Sequence, residues 1–174
     1  VNAYYRAPMN DITFPAGILQ PPFFDKTIDD PVNYGGIGAV IGHELTHGFD
    51  DQGSQYDKDG NFKSWWTTED RTEFDKRTDC IVDEYAGFTA VDDVHLNGKL
   101  TLGENTADNG GVRIAYMALK DSMKGKDEPK IDGFTPEQRY FLGFGQIWCQ
   151  NVTPENARMR ATVDPHSPGQ YRVN

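Results

Sequence analysis

The chain has 174 residues, of which 37% are hydrophobic and 12% aromatic, and its formal net charge at pH 7 is −10. This length can bury the core of one domain. The negative charge makes nucleic acids and anionic membranes unfavourable partners, and no run of residues is long and apolar enough to span a bilayer. The composition therefore predicts one globular domain over residues 1–174 that does not act on nucleic acid.

The predicted elements begin with a small β hairpin and continue as helices. Two β-prone runs, 1–6 and 11–14, flank a turn at 8–10 that contains proline and asparagine. An exposed strand of this kind can hold an extended peptide by pairing with it. Loops are expected at the Gly, Pro and Asn clusters. The helices are predicted near 32–49, 67–87, 104–123, 136–149 and 154–161. The expected fold class is mainly α, with a small N-terminal β element.

The first predicted helix carries an HExxH motif formed by His43, Glu44 and His47. Residues four apart lie on one face of a helix, so the two imidazoles can bind one metal ion. The glutamate between them can act as a general base toward a water molecule. The preceding segment 35–42 is small and apolar, which is typical of a helix packed closely in an interior. The motif predicts a catalytic zinc site, and a chance match on a surface helix is the alternative.

A catalytic zinc ion usually takes a third protein ligand, which HExxH does not supply. The extended metzincin pattern is absent, because Asp50 and Gly53 stand where it needs glycine and histidine. We interpret Glu69 and Glu73 as structural, because they lie at the predicted start of a helix, where acids complement the helix dipole. Glu104 is therefore the predicted third ligand.

Glu104 and Asp108 are four residues apart, so a helix places both carboxylates on one face. That face continues with apolar residues at 112, 115 and 119, which indicates that the carboxylates point inward. Buried carboxylates need partners, such as a metal ion or the N–H of a metal-bound imidazole. Asp108 is therefore predicted to hydrogen bond to one histidine of the motif, and Asp50, shortly after His47, to the other. A role at a helix end is the alternative for these acids.

Together these residues resemble the neprilysin-type zinc metallopeptidases, a family that includes neprilysin, the endothelin-converting enzymes and bacterial oligopeptidases. The resemblance rests on HExxH followed by a remote ExxxD motif, and it covers essentially the whole chain. It implies a zincin-like catalytic domain that holds one Zn²⁺ ion through His43, His47 and Glu104. Further segments similar to family signatures are 2–5, 14–24, 33–38, 48–53, 103–105 and 166–169.

The resemblance also implies roles for residues that the motifs leave unassigned. Asn2 and Ala3 match a segment that aligns a peptide substrate, and His166 matches a histidine that stabilises the oxyanion. Arg172 matches an arginine that binds a substrate carbonyl just past the scissile bond. Ala39 stands where neprilysin has a bulkier residue, which would widen the pocket for the residue after that bond. Positions matching the lining of this pocket are Ile18, Phe23, Val40, Ile147 and Trp148.

The predicted function is that of a gluzincin-type zinc endopeptidase. It would hydrolyse oligopeptides on the amino side of hydrophobic residues, with Glu44, Asp108 and His166 as catalytic groups. Enzymes of the family are several times longer, so the resemblance implies that a helical lobe before the chain and a tail after it are missing here. The alternative function is therefore a zinc-binding but inactive catalytic segment.

Cys80 and Cys149 match family cysteines whose disulfide partners lie outside this chain, although the two could also pair with each other. The resemblance implies an extracytoplasmic setting, either secreted, periplasmic or at the cell surface. A cytoplasmic bacterial oligopeptidase is the alternative.

Overall fold

The computed structural model describes residues 1–127 and 129–173 of the chain. Helices dominate it and two small antiparallel hairpins accompany them, so the predicted fold class is confirmed. The helices are α1 (Asp30–Asn33), α2 (Ala39–Thr46), α3 (Thr68–Ala86), α4 (Leu102–Ser122), α5 (Pro136–Ile147), α6 (Pro154–Val163) and α7 (Gly169–Arg172). The strands are β1 (Tyr4–Arg6), β2 (Asp11–Thr13), β3 (Thr89–Val91) and β4 (Val94–His95). None of the helices in these described ranges is long and apolar enough to cross a membrane.

The N-terminal hairpin agrees with its prediction, although its strands are shorter than the β-prone runs. Tyr5 of β1 is opposite Ile12 of β2, and the ion pair between Arg6 and Asp11 stands beside the turn. The second hairpin, formed by β3 and β4, was not predicted. Strands of two or three residues are too short to produce a detectable alternation of polar and apolar side chains.

The helix that carries the HExxH motif belongs to a longer helical run. α1 continues through a π-helical segment, Tyr34–Gly38, into α2, and a 3₁₀ turn, His47–Phe49, follows. The predicted helix at 32–49 therefore exists as consecutive segments of different winding. His43 and Glu44 lie within α2, and His47 begins the 3₁₀ turn.

Helices α2 and α4 approach each other closely through two glycines. A Cβ atom on Gly42 would lie 2.7 Å from the carbonyl oxygen of Gly111, and one on Gly111 would lie 2.5 Å from the backbone nitrogen of His43. Side chains at these positions would force the two backbones apart. Their absence lets carboxylates on α4 reach the histidines on α2.

The main core lies where α5 packs beside α2 and α4. Tyr140 of α5 is fully buried, and its hydroxyl donates to the carbonyl oxygen of Val112 at 2.6 Å. A second cluster lies near the start of the chain, and a third connects α3, the β3–β4 hairpin and α6. The main cluster contains the buried residues Ala39, Ala115, Leu119, Tyr140, Phe144 and Ile147.

Two further features of the sequence can be located in the fold. Thr67 caps α3 as predicted, since its hydroxyl accepts from the backbone nitrogen of Asp70 at 3.1 Å. Glu69 lies exposed in the first turn of this helix. Cys80 and Cys149 are both exposed and are not bonded to each other.

Candidate metal centre and active site

His43 and His47 converge on one point, as the HExxH spacing predicts. Their Nε2 atoms are 3.0 Å apart, and the two rings are nearly perpendicular, at 88°. Both Nδ1 atoms face carboxylates instead. The two Nε2 atoms therefore share one small volume. Two imidazole lone pairs at this distance repel each other unless a proton or another cation lies between them.

Each histidine is oriented by an aspartate on its far side. Nδ1 of His43 lies 2.8 Å from Oδ1 of Asp108, and Nδ1 of His47 lies 2.7 Å from Oδ2 of Asp50. A carboxylate in this position accepts the Nδ1–H and fixes the tautomer in which Nε2 can bind a metal ion. Both aspartates are buried. The hydrogen bonds expected for these two acids from the sequence are therefore present.

Glu104 extends from the first turn of α4 toward the same point. Its Oε2 lies 3.2 Å from Nε2 of His43, and its Oε1 lies 3.7 Å from Nε2 of His47. Within the described residues, Oε2 is buried and accepts no well-aligned hydrogen bond. A buried carboxylate oxygen of this kind needs a cation nearby. Two imidazole nitrogens and a carboxylate oxygen are the donors that Zn²⁺ takes in catalytic sites, so the donor set fits this ion.

Glu44 is a second carboxylate close to the two histidines. Ligand atoms of His43, Glu44 and His47 all lie within 4.8 Å of one another, so either glutamate could complete a three-residue donor set. Burial raises the pKa of Glu44, and the nearby histidines oppose this only in part. Burial also acts to raise the pKa of Glu104, but the close contact with His43 and the charges of the other imidazoles lower it overall. The two carboxyl groups therefore differ in their surroundings, with a raised pKa at Glu44 and a lowered pKa at Glu104.

Arg172 on α7 closes the inner side of the site. Its Nε and Nη2 donate to the two carboxylate oxygens of Asp108 at 2.6 and 2.7 Å, and its guanidinium lies 3.7 Å from the centroid of the Trp148 ring. Burial alone would raise the pKa of Asp108, but hydrogen bonds from His43 and Arg172 lower it overall. Burial also tends to lower the pKa of His43, yet the hydrogen bond to Asp108 and the close contact with Glu104 raise it to about 9. The carboxylates of Asp108 and Glu104 therefore favour a positive charge here, either a proton on His43 or a cation beside it.

A cleft of about 440 Å³ runs over these groups. Asn2 and Ala3, just before β1, line it together with both histidines of the motif, with Glu104 and with His166. Asn2 is exposed and Ala3 is buried. The segment expected to align a peptide therefore lies along the same cleft as the candidate metal ligands.

His166 reaches the cleft from the segment that precedes α7. Its Nε2 lies 3.3 Å from Oε2 of Glu104, and its Nδ1 lies 2.8 Å from Oδ1 of Asp164. The hydroxyl of Ser167 donates to Oδ1 of Asn105 at 2.8 Å, and both residues are almost completely buried. This bond ties the loop to α4 beside Glu104 and thereby sets the position of His166.

An apolar cavity lies beside the candidate catalytic groups, but it is small. Its volume is about 40 Å³, which admits only a small group. Ala39 borders it together with aromatic rings on α5 and just after that helix. The residues that line the cavity are Ala39, Val40, His43, Glu44, Asp108, Phe144, Ile147, Trp148 and Arg172.

Ile18 and Phe23, which were assigned to this pocket by the resemblance, do not line the cavity. Ile18 is buried with Ala3 and Ile37 in the second cluster, against which Phe23 and Val40 pack. The structure brings these two residues to the wall behind Val40 and not to the cavity itself.

Sequence reasoning missed several residues that shape the site. Phe144 lines the cavity and lies three and four residues before Ile147 and Trp148, so helical spacing could have identified it. Asp164 supports His166 across a loop, where no periodic signal exists. The buried bond between Asn105 and Ser167 joins residues far apart in the chain, and a single sequence contains no signal for such a contact.

The helical fold and the imidazole–carboxylate donor set are typical of metallopeptidase domains. The comparison with known families agrees with this class. The model of Peptidase family M13 matches residues 2–174, and the chain belongs to that family. Membership implies a zinc ion and agrees with the predicted resemblance.

Curated relatives and solved structures are similar over nearly the whole chain. It is 49% identical to Neprilysin-1 of Caenorhabditis elegans over 180 residues and 48% identical to human Endothelin-converting enzyme 1 over 177 residues. These matches cover 100% and 99% of the chain but only 24% and 23% of the relatives. The chain therefore spans about a quarter of the length of these proteins.

Two solved structures also match nearly the whole chain. The crystal structure of the Mycobacterium tuberculosis zinc metalloprotease with an inhibitor superposes with a TM-score of 0.96 at 52% identity, covering 99% of this chain and 27% of that one. The crystal structure of PepO from Lactobacillus rhamnosis gives a TM-score of 0.88 at 38% identity, covering 99% of this chain and 26% of that one.

Proposed function

We propose that residues 1–174 form the catalytic domain of a zinc-dependent endopeptidase of the gluzincin type, which hydrolyses oligopeptides. One observation carries the proposal. Nε2 of His43 lies 3.0 Å from Nε2 of His47 and 3.2 Å from Oε2 of Glu104, beside the general-base candidate Glu44. Membership of Peptidase family M13 supports it, as do relatives named neprilysin and endothelin-converting enzyme.

The residues that would hold Zn²⁺ are His43, His47 and Glu104. When bound, the ion polarises the scissile carbonyl and acidifies water for attack on it. Glu44 accepts a proton from the attacking water and passes it to the leaving amine. Burial raises the pKa of Glu44, which makes it a better proton acceptor than an exposed glutamate.

Other residues bind the substrate and stabilise charge. In its doubly protonated form, His166 donates from Nδ1 to Oδ1 of Asp164 and from Nε2 to the developing oxyanion. Asn2 and Ala3 align an extended peptide along the cleft by strand pairing. Asp108 supports catalysis indirectly, because it orients His43 and anchors Arg172. Arg172 is proposed to bind a substrate carbonyl just past the scissile bond.

The apolar cavity suggests where cleavage falls. Val40, Ile147 and Trp148 border it beside Glu44, and Ile18 and Phe23 form the wall behind Val40. A hydrophobic side chain just after the scissile bond suits this lining, so cleavage on the amino side of hydrophobic residues is proposed. The proposed setting is extracytoplasmic, with a cytoplasmic oligopeptidase as the alternative.

The division of roles between the two glutamates provides the test. In the full-length protein, Glu44→Gln should retain zinc after dialysis and lose at least about 1,000-fold in kcat, because it removes the base and leaves the ligands. Glu104→Ala should lose zinc, because two imidazoles alone bind it weakly. Glu69→Gln, an exposed acid on α3, is the matched control and should change neither quantity. Zinc stoichiometry and cleavage of a fluorogenic peptide measure both effects.

The reverse result, with zinc lost from Glu44→Gln and retained by Glu104→Ala, would exchange the proposed roles. A zinc-binding but inactive segment is the second candidate, because the chain spans only about a quarter of its relatives. Comparing residues 1–174 with the full-length protein at equal zinc content separates the two. Activity in the full-length protein alone would mean that the site needs the rest of that protein.

A further inference from the structure

Arg160, near the end of α6, is connected to His166 through one carboxylate. Its Nε donates to Oδ2 of Asp164 at 2.7 Å. The other oxygen of Asp164 accepts twice from His166, from the backbone nitrogen at 2.9 Å and from Nδ1 at 2.8 Å. The three side chains therefore form a chain of hydrogen bonds from α6 to the cleft. Among the described residues, the side chain of Arg160 donates to no other group.

Packing alone does not fix the ring of His166. Its side chain is 39% exposed, and that of Asp164 is 22% exposed. Both groups also border, with Arg160, a cavity of about 500 Å³ that none of the candidate metal ligands lines. The backbone nitrogen of His166 holds only one oxygen of Asp164, so without a second donor the carboxylate can still tilt about its terminal torsion, which has broad preferences. The bond from Arg160 to Oδ2 leaves Oδ1 in the direction that holds Nδ1 of His166.

The other two histidines of the site are supported in the same way. Asp108, which holds His43, is itself bound by Nε and Nη2 of Arg172. Asp50, which holds His47, accepts from backbone nitrogens at its other oxygen. In every case the carboxylate behind an imidazole has a further donor that fixes its orientation.

We propose that Arg160 is a positioning residue for the proposed peptidase reaction, which acts on His166 by fixing the carboxylate of Asp164. The inference rests on the proposed function, because it concerns the histidine that would stabilise the oxyanion. The competing explanation is an i, i+4 ion pair that stabilises only the end of α6.

Arg158 provides a matched control on the same helix. It forms an ion pair with Asp92, and neither residue contacts Asp164 or His166 in the described hydrogen bonds and ion pairs. Arg158→Gln and Arg160→Gln therefore make the same chemical change and each remove one ion pair of α6. Only the second change removes support from the carboxylate behind His166.

The experiment measures kcat, KM and zinc content for both variants of the full-length protein. Arg160→Gln should lower kcat by about 10-fold, the lower end for groups that orient a catalytic residue, while KM and zinc content stay near those of the parent. Arg160→Lys should recover part of the loss, because an ammonium group can still donate to Oδ2. Arg158→Gln should match the parent protein. Equal behaviour of Arg158→Gln and Arg160→Gln would overturn the proposal.

A double-mutant cycle shows whether the effect passes through the histidine. In a His166→Gln background, Arg160→Gln should cause no further loss of kcat, because the group it positions is gone. A further 10-fold loss there would mean that Arg160 acts elsewhere, and it would also overturn the proposal.

The outcome can be separated from that of the proposed function. If Glu44→Gln leaves peptide hydrolysis intact, the proposed function fails. The role of Arg160 can then still be tested through the orientation of the His166 ring. Crystal structures of Arg160→Gln and Arg158→Gln would then be compared at His166. A reoriented imidazole in the first and an unchanged one in the second support the inference. An unchanged ring in both contradicts it.

Discussion

The two histidines of the HExxH motif stand one turn apart, yet their supports differ in kind. His47 is held by Asp50, three residues further along the chain, within one compact turn. His43 is held by Asp108, which is 65 residues away on a different helix. The local support requires only that the turn after α2 forms. The distant support requires that α2 and α4 pack at the correct distance, so it depends on the tertiary structure.

The two supports also differ in what holds the aspartate. Asp50 accepts from the backbone nitrogens of Gln52 and Gly53 at 2.8 and 2.7 Å, so its position is fixed by main-chain groups. Asp108 is held by Arg172, a charged side chain from the far end of the chain. The support of His43 is therefore a buried network of charges, and removing one member leaves another ion unpaired. The support of His47 resembles a capped turn, in which backbone groups hold the carboxylate.

The distant support should fail first when the helices are forced apart. Gly111→Ala places a Cβ 2.5 Å from the backbone nitrogen of His43 and 2.7 Å from the carbonyl oxygen of Ala39, and backbone atoms cannot rotate away. We expect destabilisation at or above the ~1–3 kcal/mol typical of overpacking, and an activity loss above ~100-fold as Glu104 and Asp108 move away from His43. Urea unfolding and peptide-cleavage kinetics of the purified variant measure the two effects.

Gly145→Ala is the matched control for this substitution. Gly145 lies within α5, and a Cβ there meets nothing within 4 Å. The same change should be neutral, or should stabilise the protein by up to ~1 kcal/mol through helix propensity. If Gly111→Ala were as well tolerated as Gly145→Ala, the close approach of α2 and α4 would not control the site.

A direct comparison of the two aspartates should produce the next largest effect. Asp108→Asn leaves the guanidinium of Arg172 buried without its anion, and breaking a buried pair costs about 3–5 kcal/mol. Asp50→Asn keeps an amide oxygen for the backbone donors and should cost about 1 kcal/mol. Both changes remove the carboxylate behind a histidine, so zinc affinity should fall by about 10–100-fold in each.

The measurements for this pair are urea unfolding and competition with a zinc chelator. The two variants should be similar in zinc affinity and clearly different in stability. Equal stabilities would show that the network around Asp108 is no more demanding than the turn around Asp50. An unchanged zinc affinity in both would mean that the aspartates are structural acids only.

The same contrast explains how much of the molecule could be predicted from sequence. The convergence of His43 and His47 follows from helical spacing, and the inward direction of Glu104 and Asp108 follows from the apolar positions that continue their face. Each of these directions depends only on the spacing of residues within one helix, so it can be recognised in a single sequence. The capping of α3 by Thr67 is local in the same sense and was also predicted.

Contacts between distant segments were not predictable in this way. The bond from Ser167 to Asn105 and the chain from Arg160 to His166 involve loops or helix ends, where no periodicity relates the partners. The resemblance identified His166 and Arg172 as family positions, but it did not reveal that two donor atoms of Arg172 are occupied by Asp108. The size of the apolar cavity depends on side-chain packing around Phe144, which composition does not determine.

The smallest expected effect concerns Arg172, which binds the aspartate behind His43 and has no counterpart behind His47. Arg172 uses Nε and Nη2 on Asp108 and stacks over Trp148, which leaves Nη1 as the group for the proposed substrate carbonyl. Arg172→Lys keeps the positive charge but offers one ammonium in place of a planar fork. We expect kcat/KM in the full-length protein to fall by about 10-fold on all peptides of a panel varied only after the scissile bond. Zinc affinity should fall less than in Asp108→Asn, because the buried carboxylate retains a cation.

Arg113→Lys, at an exposed position of α4, is the control and should leave both kcat/KM and zinc affinity unchanged. If Arg172→Lys instead reorders the preferences among peptides and leaves the best substrate unaffected, then Arg172 serves the specificity pocket and does not bind the backbone. If its zinc affinity falls as far as that of Asp108→Asn, the two donor bonds matter more than the charge.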